Sequence, residues 1–429
     1  MTRATSNPAA AVAAAPARAL ALPGILRGRD FRRFWLGESI SLIGDQITLI
    51  ALPLVGVLAL HANAAEMGYL GAAALIPNLL FSLHAGAWLD RRGRRRQAMI
   101  ATAFARAALL ATIPVAYWLG VLTMTQLYVV SFLIGTLSVL FFVAYSTLFV
   151  SLVPRHRYFQ ANSLLNGSRA FSFVAGPSIG GLLVQIFSAP GALIADAVSF
   201  LVSAFSLGSI DPTEPPTEKA QRGHVKAGIA YIRRSPIIRA SLLATATINF
   251  FNFVFWALFF LYATKTLGVG AGLLGLVLGA ASVGGLLGSI VTGRISRRIG
   301  VGPAFAVGCV LFPAPLVLVP LAGGADWTIV AFLFAAEFLS GFGVMVLDIT
   351  AASIKAALVP DRLRARVAGA YMVVNNGVRP IGALVGGALG TWIGLRPTLW
   401  IASLGAIAGV LWLLPSPVLR LRELPEVEE

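Results

Sequence analysis

Apolar runs recur along the whole chain, each ended by a short polar stretch. A helix needs about 20 such residues to cross the hydrocarbon core of a bilayer. The runs predict twelve spans, at roughly residues 34–60, 67–89, 97–119, 124–153, 160–187, 190–210, 238–262, 269–292, 301–322, 327–352, 367–393 and 396–415. None breaks into alternating segments of about ten residues, which sets aside a membrane β-barrel. Most connections are only a few residues long. The exception opens Asp211-Pro212-Thr213-Glu214-Pro215-Pro216, and its second half, His224 to Arg239, reads as a short amphipathic helix on the membrane surface. The expected organisation is a cytoplasmic N-terminal segment (1–33), a six-helix bundle (34–210), a linker (211–237), a second six-helix bundle (238–415) and a tail (416–429).

Composition agrees with this pattern. Of 429 residues, 58% are hydrophobic and only 12% charged, with a mean hydropathy of +0.84. A soluble domain carries about twice that charged fraction, so the class is an all-α membrane protein. The net charge of +16 raises the question of a nucleic-acid partner, and the placement of the charge answers it. Twenty-seven of the thirty-three Lys and Arg fall in the N-terminal segment, in loops 2–3, 4–5, 6–7, 8–9 and 10–11, and in the C-tail. The opposite loops hold only Lys265 and Arg396. This is the positive-inside asymmetry, which places both termini and the linker in the cytoplasm and makes the lipid bilayer, not nucleic acid, the partner of the basic loops. Residues 1–22 are Ala/Pro-rich and lack the charged-then-apolar order of a signal peptide. The single cysteine, Cys309, lies in an apolar run and reads as packing. His61 and His84 stand alone, without metal-ligand spacing, so no metal is expected. No GxxxxGK[ST] stretch and no nucleophile–base–acid set is present, which points to neither cofactor nor enzyme and leaves a gradient as the driving force.

Landmarks repeat at nearly one offset. Gly86-x6-Gly93 returns as Gly293-x6-Gly300, 207 residues later. Leu152-Val153-Pro154 returns as Leu358-Val359-Pro360, and Gly176, Gly180 and Gly181 return as Gly382, Gly386 and Gly387, both 206 residues later. Two pseudo-symmetric six-helix halves with substrate held between them near the midplane is the plan these offsets imply. The residues that narrow this to a family are Phe31-Arg32-Arg33-Phe34-Trp35-Leu36-Gly37, Ile43-Gly44-Asp45, the Gly86–Arg96 loop, Gly176-Pro177-Ser178-Ile179-Gly180-Gly181, and Val359-Pro360-Asp361-Arg362-Leu363-Arg364-Ala365-Arg366-Val367. On these, the chain resembles major facilitator superfamily transporters along nearly its whole length. Within them it resembles the bacterial drug/proton antiporter branch that includes macrolide efflux proteins and the enterobactin exporter. The resemblance implies the major facilitator fold, a monomer in the bacterial inner membrane, and proton-coupled efflux of a bulky amphipathic or apolar organic compound. A siderophore or metabolite exporter and an uptake facilitator are alternatives, and from a different class a lipid flippase or a non-transporting membrane sensor.

Candidate chemistry follows from charge where lipid should be. An ionisable residue inside the bilayer costs a few kcal/mol on insertion scales and is functional by default. Glu38 and Asp45 lie seven residues apart on span one, two turns along one face, about 10 Å apart. The resemblance places span one against the central cavity, which makes Asp45, with Glu38, the proton-coupling candidates. Glu337 and Asp348 are eleven apart on span ten and also share a face. Glu337 is a further candidate for coupling or for binding a cation, and Asp348 a charge partner. Asp196, on a span that is peripheral in the family, reads as a structural pairing residue. Arg106, Arg169 and Arg379 lie within spans and need partners, most simply the buried acids on other helices. In the Gly86–Arg96 loop the resemblance implies a gating latch of Gly86, Asp90, Gly93 and Arg94, with the two glycines framing a tight turn. The remaining arginines, Arg91, Arg92, Arg95 and Arg96, read as topology residues. The second copy carries Arg297 where the first has Asp90, so the latch is expected to be asymmetric. Gly176, Pro177, Gly180 and Gly181 match the end of the family's antiporter motif, with Ser163 and Ser172 where its earlier glycines would be, and they imply export. Asn249, Asn252, Phe253 and Trp256 fall on one helical stripe of span seven, an aromatic wall with amides suited to a bulky apolar substrate.

Overall fold

The structure of the protein, a computed structural model, describes residues 24–211 and 225–423. Among these residues every regular element is helical. The first half holds α1 (Arg29–Leu54), α2 (Ala64–Arg92), α3 (Arg95–Trp118), α4 (Met124–Leu152), α5 (Tyr158–Phe187) and α6 (Ala189–Gly208). A short α7 (Val225–Arg234) leads into the second, made of α8 (Pro236–Lys265), α9 (Ala271–Ile299), α10 (Val301–Leu311), α11 (Leu318–Leu321), α12 (Asp326–Leu358), α13 (Asp361–Trp392) and α14 (Leu395–Ile407). Eleven helical stretches among the described residues are long and apolar enough to cross a membrane. The remaining pass is α13, whose 32 residues suffice in length, but Asp361, Arg362, Arg364, Arg366 and Arg379 dilute its apolar character. The expected segment 1–23, the start of the linker (212–224) and the tail beyond 423 lie outside the described residues.

Local chemistry sets the helix boundaries. Asn63 caps α2 in a reciprocal box: its side chain accepts from the Glu66 N–H at 3.0 Å, and the Glu66 carboxylate accepts from the Asn63 N–H at 2.8 Å. Ser235 caps α8, with Pro236 at the first position, where a missing N–H costs nothing. The ninth pass is not the continuous helix its apolar run suggests. Pro313 and Pro315 end α10, and the chain continues through a 3-10 turn (Ala314–Val317) into α11.

One expectation is corrected here and one is extended. Gly86 does not frame a turn, because α2 runs on to Arg92 and only Gly93, at φ 62°, takes the left-handed conformation that ends it. Its repeat behaves alike: Gly293 is inside α9 and Gly300, at φ 94°, makes the turn. The amphipathic α7 packs on protein. Tyr231 and Ile232 join the apolar cluster of the second half, the Tyr231 hydroxyl donates to the Leu358 carbonyl, and Gly228 abuts the Arg366 backbone at the start of α13. Ile229 is its one large aliphatic side chain left exposed among the described residues.

The halves meet along two antiparallel helix pairs. On one side α2 runs against α13, with Ala64 beside Gly390, Gly68 beside Gly387, Gly71 beside Ala383 and Leu79 beside Gly377. On the other, α5 runs against α9, with Gln185 beside Gly272, Gly181 beside Gly275, and the Ser282 hydroxyl donating to the Phe173 carbonyl at 2.6 Å. At Gly68 and Gly181 the backbones touch. A Cβ on Gly68 would lie 2.8 Å from the Gly387 Cα, and one on Gly181 2.8 Å from the Gly275 Cα. Lipid tails are as apolar as leucine, so helices associate here by close packing of small residues. Toward the basic end these pairs separate: a Cβ on Gly86, Gly167 or Gly369 would meet nothing within 4 Å. Among the described residues the halves are therefore closed together at the end that holds Ala64 and Gln185 and parted at the arginine-rich end.

This packing yields a prediction. Gly181→Val should overpack the closed end by roughly 1–3 kcal/mol and shift the protein toward opening there. The measurement is maleimide labelling of an Ala64→Cys reporter across the interface, whose rate should rise several-fold.

Candidate functional site

Small residues bring α1 against α6. Gly37 abuts Ser203 and Ser206, and Gly44 abuts Ser199 and Asp196. The residue after Gly44 is Asp45, turned beside this contact toward α3. Its carboxylate lies 3.9 Å from a terminal guanidinium nitrogen of Arg106. The Asp45 side chain is 46% exposed, whereas that of Arg106 is 3% exposed. The guanidinium is sandwiched between the rings of Phe141 and Phe200, at 4.4 and 4.1 Å from their centroids, an arrangement that suits a planar cation. Its Nη1 is 3.5 Å from the Ser138 hydroxyl, while Nε and Nη2 have no hydrogen-bond partner among the described residues. Asp196 is wholly buried on α6. Its two carboxylate oxygens accept from the hydroxyls of Thr48, one turn beyond Asp45 on α1, and of Ser199, the latter at 2.8 Å.

Glu38 is buried two turns before Asp45, and the charges of Asp45, Arg106 and Arg169 act on it. It does not pair with Arg33, which instead donates to the Ser209 carbonyl at the end of α6. Of the three arginines within spans, only Arg106 has a carboxylate within 4 Å among the described residues. The expectation that all three are ion-paired is thus corrected. Arg169 makes no such pair. Arg379 donates to the Asn249 side-chain oxygen at 3.1 Å and lies over the Phe253 ring at 5.3 Å. Asp348, exposed on α12, acts on Arg379 only from farther away.

The stripe on α8 is divided between support and surface. Asn249 donates to Asn375 at 3.0 Å and accepts from Arg379, so its amide is already used. Trp256 packs with Phe255, Phe259 and Phe260. Asn252 differs, since its buried side-chain oxygen has no partner among the described residues. Glu337 is alike in this: it is 3% exposed in α12, and its Oε1 has no hydrogen-bond partner there.

At the basic end, Gly93 closes α2 and the exposed Arg94 precedes α3. The side chain of Asp90 lies outside those described. Arg96, expected only to set topology, donates to the carbonyls of Leu207 and Gly208 at 2.9 and 2.6 Å and faces Asp211 at 3.8 Å. A cation on the orphan carbonyls of a helix C-terminus is stabilising, and Arg96 does this for α6. The Gly176, Pro177, Gly180, Gly181 motif is a two-sided spacer. Gly176 and Gly180 seat α5 on Gln46 and Ile47 of α1, while Pro177 and Gly181 face Gly275 of α9. Its repeat does the same on α13, with Gly382 and Gly386 on α8 and Gly387 on α2.

Sequence reasoning missed Asp196, Thr48 and Ser199 as members of the cluster. Their signal was present in the spacing Asp45-x2-Thr48 and Asp196-x2-Ser199, which sets an acid and a hydroxyl one helical turn apart.

Two six-helix halves, closed at one end, parted at the other and holding charge between buried helices, are the architecture of an alternating-access membrane transporter. The Major Facilitator Superfamily model matches residues 34–377 and 247–429, and the chain belongs to that family. It is a multi-pass transporter and not an enzyme. The multidrug efflux pump Tap of Mycolicibacterium fortuitum is 27% identical over 388 residues, covering 84% of this chain and 89% of the pump. The MFS-type transporter YfiS of Bacillus subtilis (strain 168) is 26% identical over 373 residues, 83% of this chain and 86% of that protein. Among solved structures, a bacterial homologue of the iron transporter ferroportin in its inward-facing state aligns with a TM-score of 0.74 at 15% identity. That alignment covers 90% of this chain and 98% of the homologue and shows a shared fold.

The cluster predicts a stability difference. Arg106→Leu leaves Asp45 and Asp196 without a cation and should cost about 3 kcal/mol, the low end for a broken buried pair because Asp45 is half exposed. Arg169→Leu, which breaks no direct pair, should cost less. Thermal unfolding of the detergent-purified variants makes the comparison.

Proposed function

We propose that the protein exports a bulky amphipathic or apolar organic compound across the bacterial inner membrane in exchange for protons. The observation that carries this reading is Asp45, a half-exposed carboxylate on α1 tied to a guanidinium buried behind it. Such a group can take a proton from one side and give it up on the other as the two halves rock. The multidrug efflux pump among the relatives supports export of an organic compound. The basic end is the cytoplasmic face by its charge, so the form open at that end is the one that loads substrate from inside.

Other residues take roles around this centre. Glu38, buried two turns away, contributes to proton uptake. Glu337 is a second acid in the other half, available to a proton or to a cationic group on the substrate. The unpartnered Asn252 oxygen, with Phe253 and Trp256, offers one hydrogen bond on an aromatic wall, while Asn249 serves to hold Arg379. Gly93, Arg94 and Asp90 form the gate at the basic end, Gly86 being a site of open space in α2. The protein works as a monomer with both termini in the cytoplasm.

The test is dye or drug accumulation in inverted membrane vesicles energised by a pH gradient. Asp45→Asn should lower gradient-driven accumulation at least tenfold while leaving substrate binding within a fewfold of the parent. Undiminished accumulation in Asp45→Asn would remove the coupling assignment. Movement of labelled lipid in liposomes, unaffected by Asp45→Asn, would point to a flippase.

A further inference from the structure

The cluster around Arg106 contains an acid that the coupling scheme does not use. Asp196 is wholly buried, and hydroxyls from α1 and from its own helix hold both its oxygens. It lies against Gly44, one residue from Asp45, and the charges of Asp45 and Arg106 both act on it. Arg106 itself is incompletely used. Its contact with Asp45 is a 3.9 Å ion pair, longer than a hydrogen bond, and two of its buried nitrogens have no hydrogen-bond partner among the described residues. The rings of Phe141 and Phe200 hold the guanidinium plane from either side without consuming its donors.

We propose that Asp196 is a positioning residue of the proton-coupling site, and that it shares Arg106 with Asp45 so that the cluster takes up one proton per cycle. This inference rests on the reading of the protein as a proton-coupled exporter. Charge balance leads to it. Asp45, Asp196 and Arg106 together carry a net charge of −1 when both acids are ionised. Of the surrounding titratable groups, Glu38 on α1 interacts with Asp45 and Arg106, and Arg169 on α5 and Tyr145 on α4 interact in turn with Glu38. Glu38 and Arg169 cancel, so the wider set also carries −1. A net charge held among buried helices is costly, and one proton neutralises it. Hydrogen bonds and access together decide where that proton goes. The Thr48 and Ser199 hydroxyls donate to both Asp196 oxygens and hold it as the carboxylate, whereas Asp45 is half exposed, so the new O–H forms on Asp45. Arg106 keeps its own proton throughout and, once Asp45 is neutral, is balanced by Asp196. Without Asp196, the pair of Asp45 and Arg106 would already be neutral and would have no use for a proton.

The experiment compares two transport modes in proteoliposomes of the full chain with a fluorescent drug substrate. One is accumulation driven by a pH gradient, and the other is substrate counterflow with no gradient. Asp196→Asn, nearly identical in shape, should lose at least tenfold of gradient-driven accumulation while keeping counterflow within threefold, and Asp196→Glu should retain coupling. The double variant Arg106→Gln/Asp196→Asn restores the −1 charge with Asp45 alone and should regain gradient-driven accumulation over the single variant. A merely structural Asp196 would not produce that rescue. Gradient-driven accumulation within twofold of the parent in Asp196→Asn overturns the inference, as does loss of both modes in the single and the double variant alike. If Asp45→Asn also keeps full gradient-driven accumulation, the proton-coupled reading itself has failed. If Asp45→Asn uncouples and Asp196→Asn does not, only the role of Asp196 has.

Discussion

A guanidinium placed where neither water nor lipid reaches it must be neutralised by the protein around it, and the first half is built to that requirement. Arg106 is shielded by Phe141 on α4 and Phe200 on α6, faces Asp45 on α1, and lies within the field of Asp196. Four of the six helices of this half therefore contribute to a single charge. Glycine at position 44 lets α1 reach α6 closely enough for this, since a side chain there would collide with Ser199 and Asp196. Among the described residues the second half has no equivalent. Its arginine, Arg379, is met by an amide and a ring, and its buried acid, Glu337, leaves an oxygen without a partner. The two halves share a backbone plan and divide the chemistry.

The second constraint is the contact between halves. It is a seam of small residues at one end, α2 on α13 and α5 on α9, that gives way to open space at the other. The glycine motif of α5 sits on both sides of this balance, since one face of it seats α5 on α1 and the other face meets α9. Changes at the charged cluster on α1 can thus reach the seam through α5 in two helix contacts. That proximity gives a physical basis for linking the charge state of Asp45 to which end is open.

Much of this was legible in the sequence. Run lengths predict the passes, and the near-constant offset of Gly176 to Gly382 and Gly86 to Gly293 reveals the two halves. The glycines of α5, which the resemblance tied to export, also prove to be sites of close helix packing. Asp45 stands out because a carboxylate within an apolar run is too costly to be incidental. Periodicity and hydropathy are local properties, and a helical membrane protein writes most of its architecture locally, because in lipid each helix must satisfy its own backbone hydrogen bonds.

What crosses between helices was not legible. Spacing could place Asp45, Arg106 and Asp196 at comparable depth but could not say that α1, α3 and α6 converge, so Asp196 read as peripheral. It could not say that Asn249 is occupied by Asn375 and Arg379, that Arg96 caps α6, or that α7 packs on α13. Gly86 and Gly93 looked equivalent as letters, and only the backbone shows one inside a helix and the other ending it. The sequence by itself determined the helical passes and their twofold plan, since these depend on how each segment meets lipid and water. The tertiary structure alone decided which charges are paired, which amides are used and which end is closed, because those depend on distances between segments far apart in the chain.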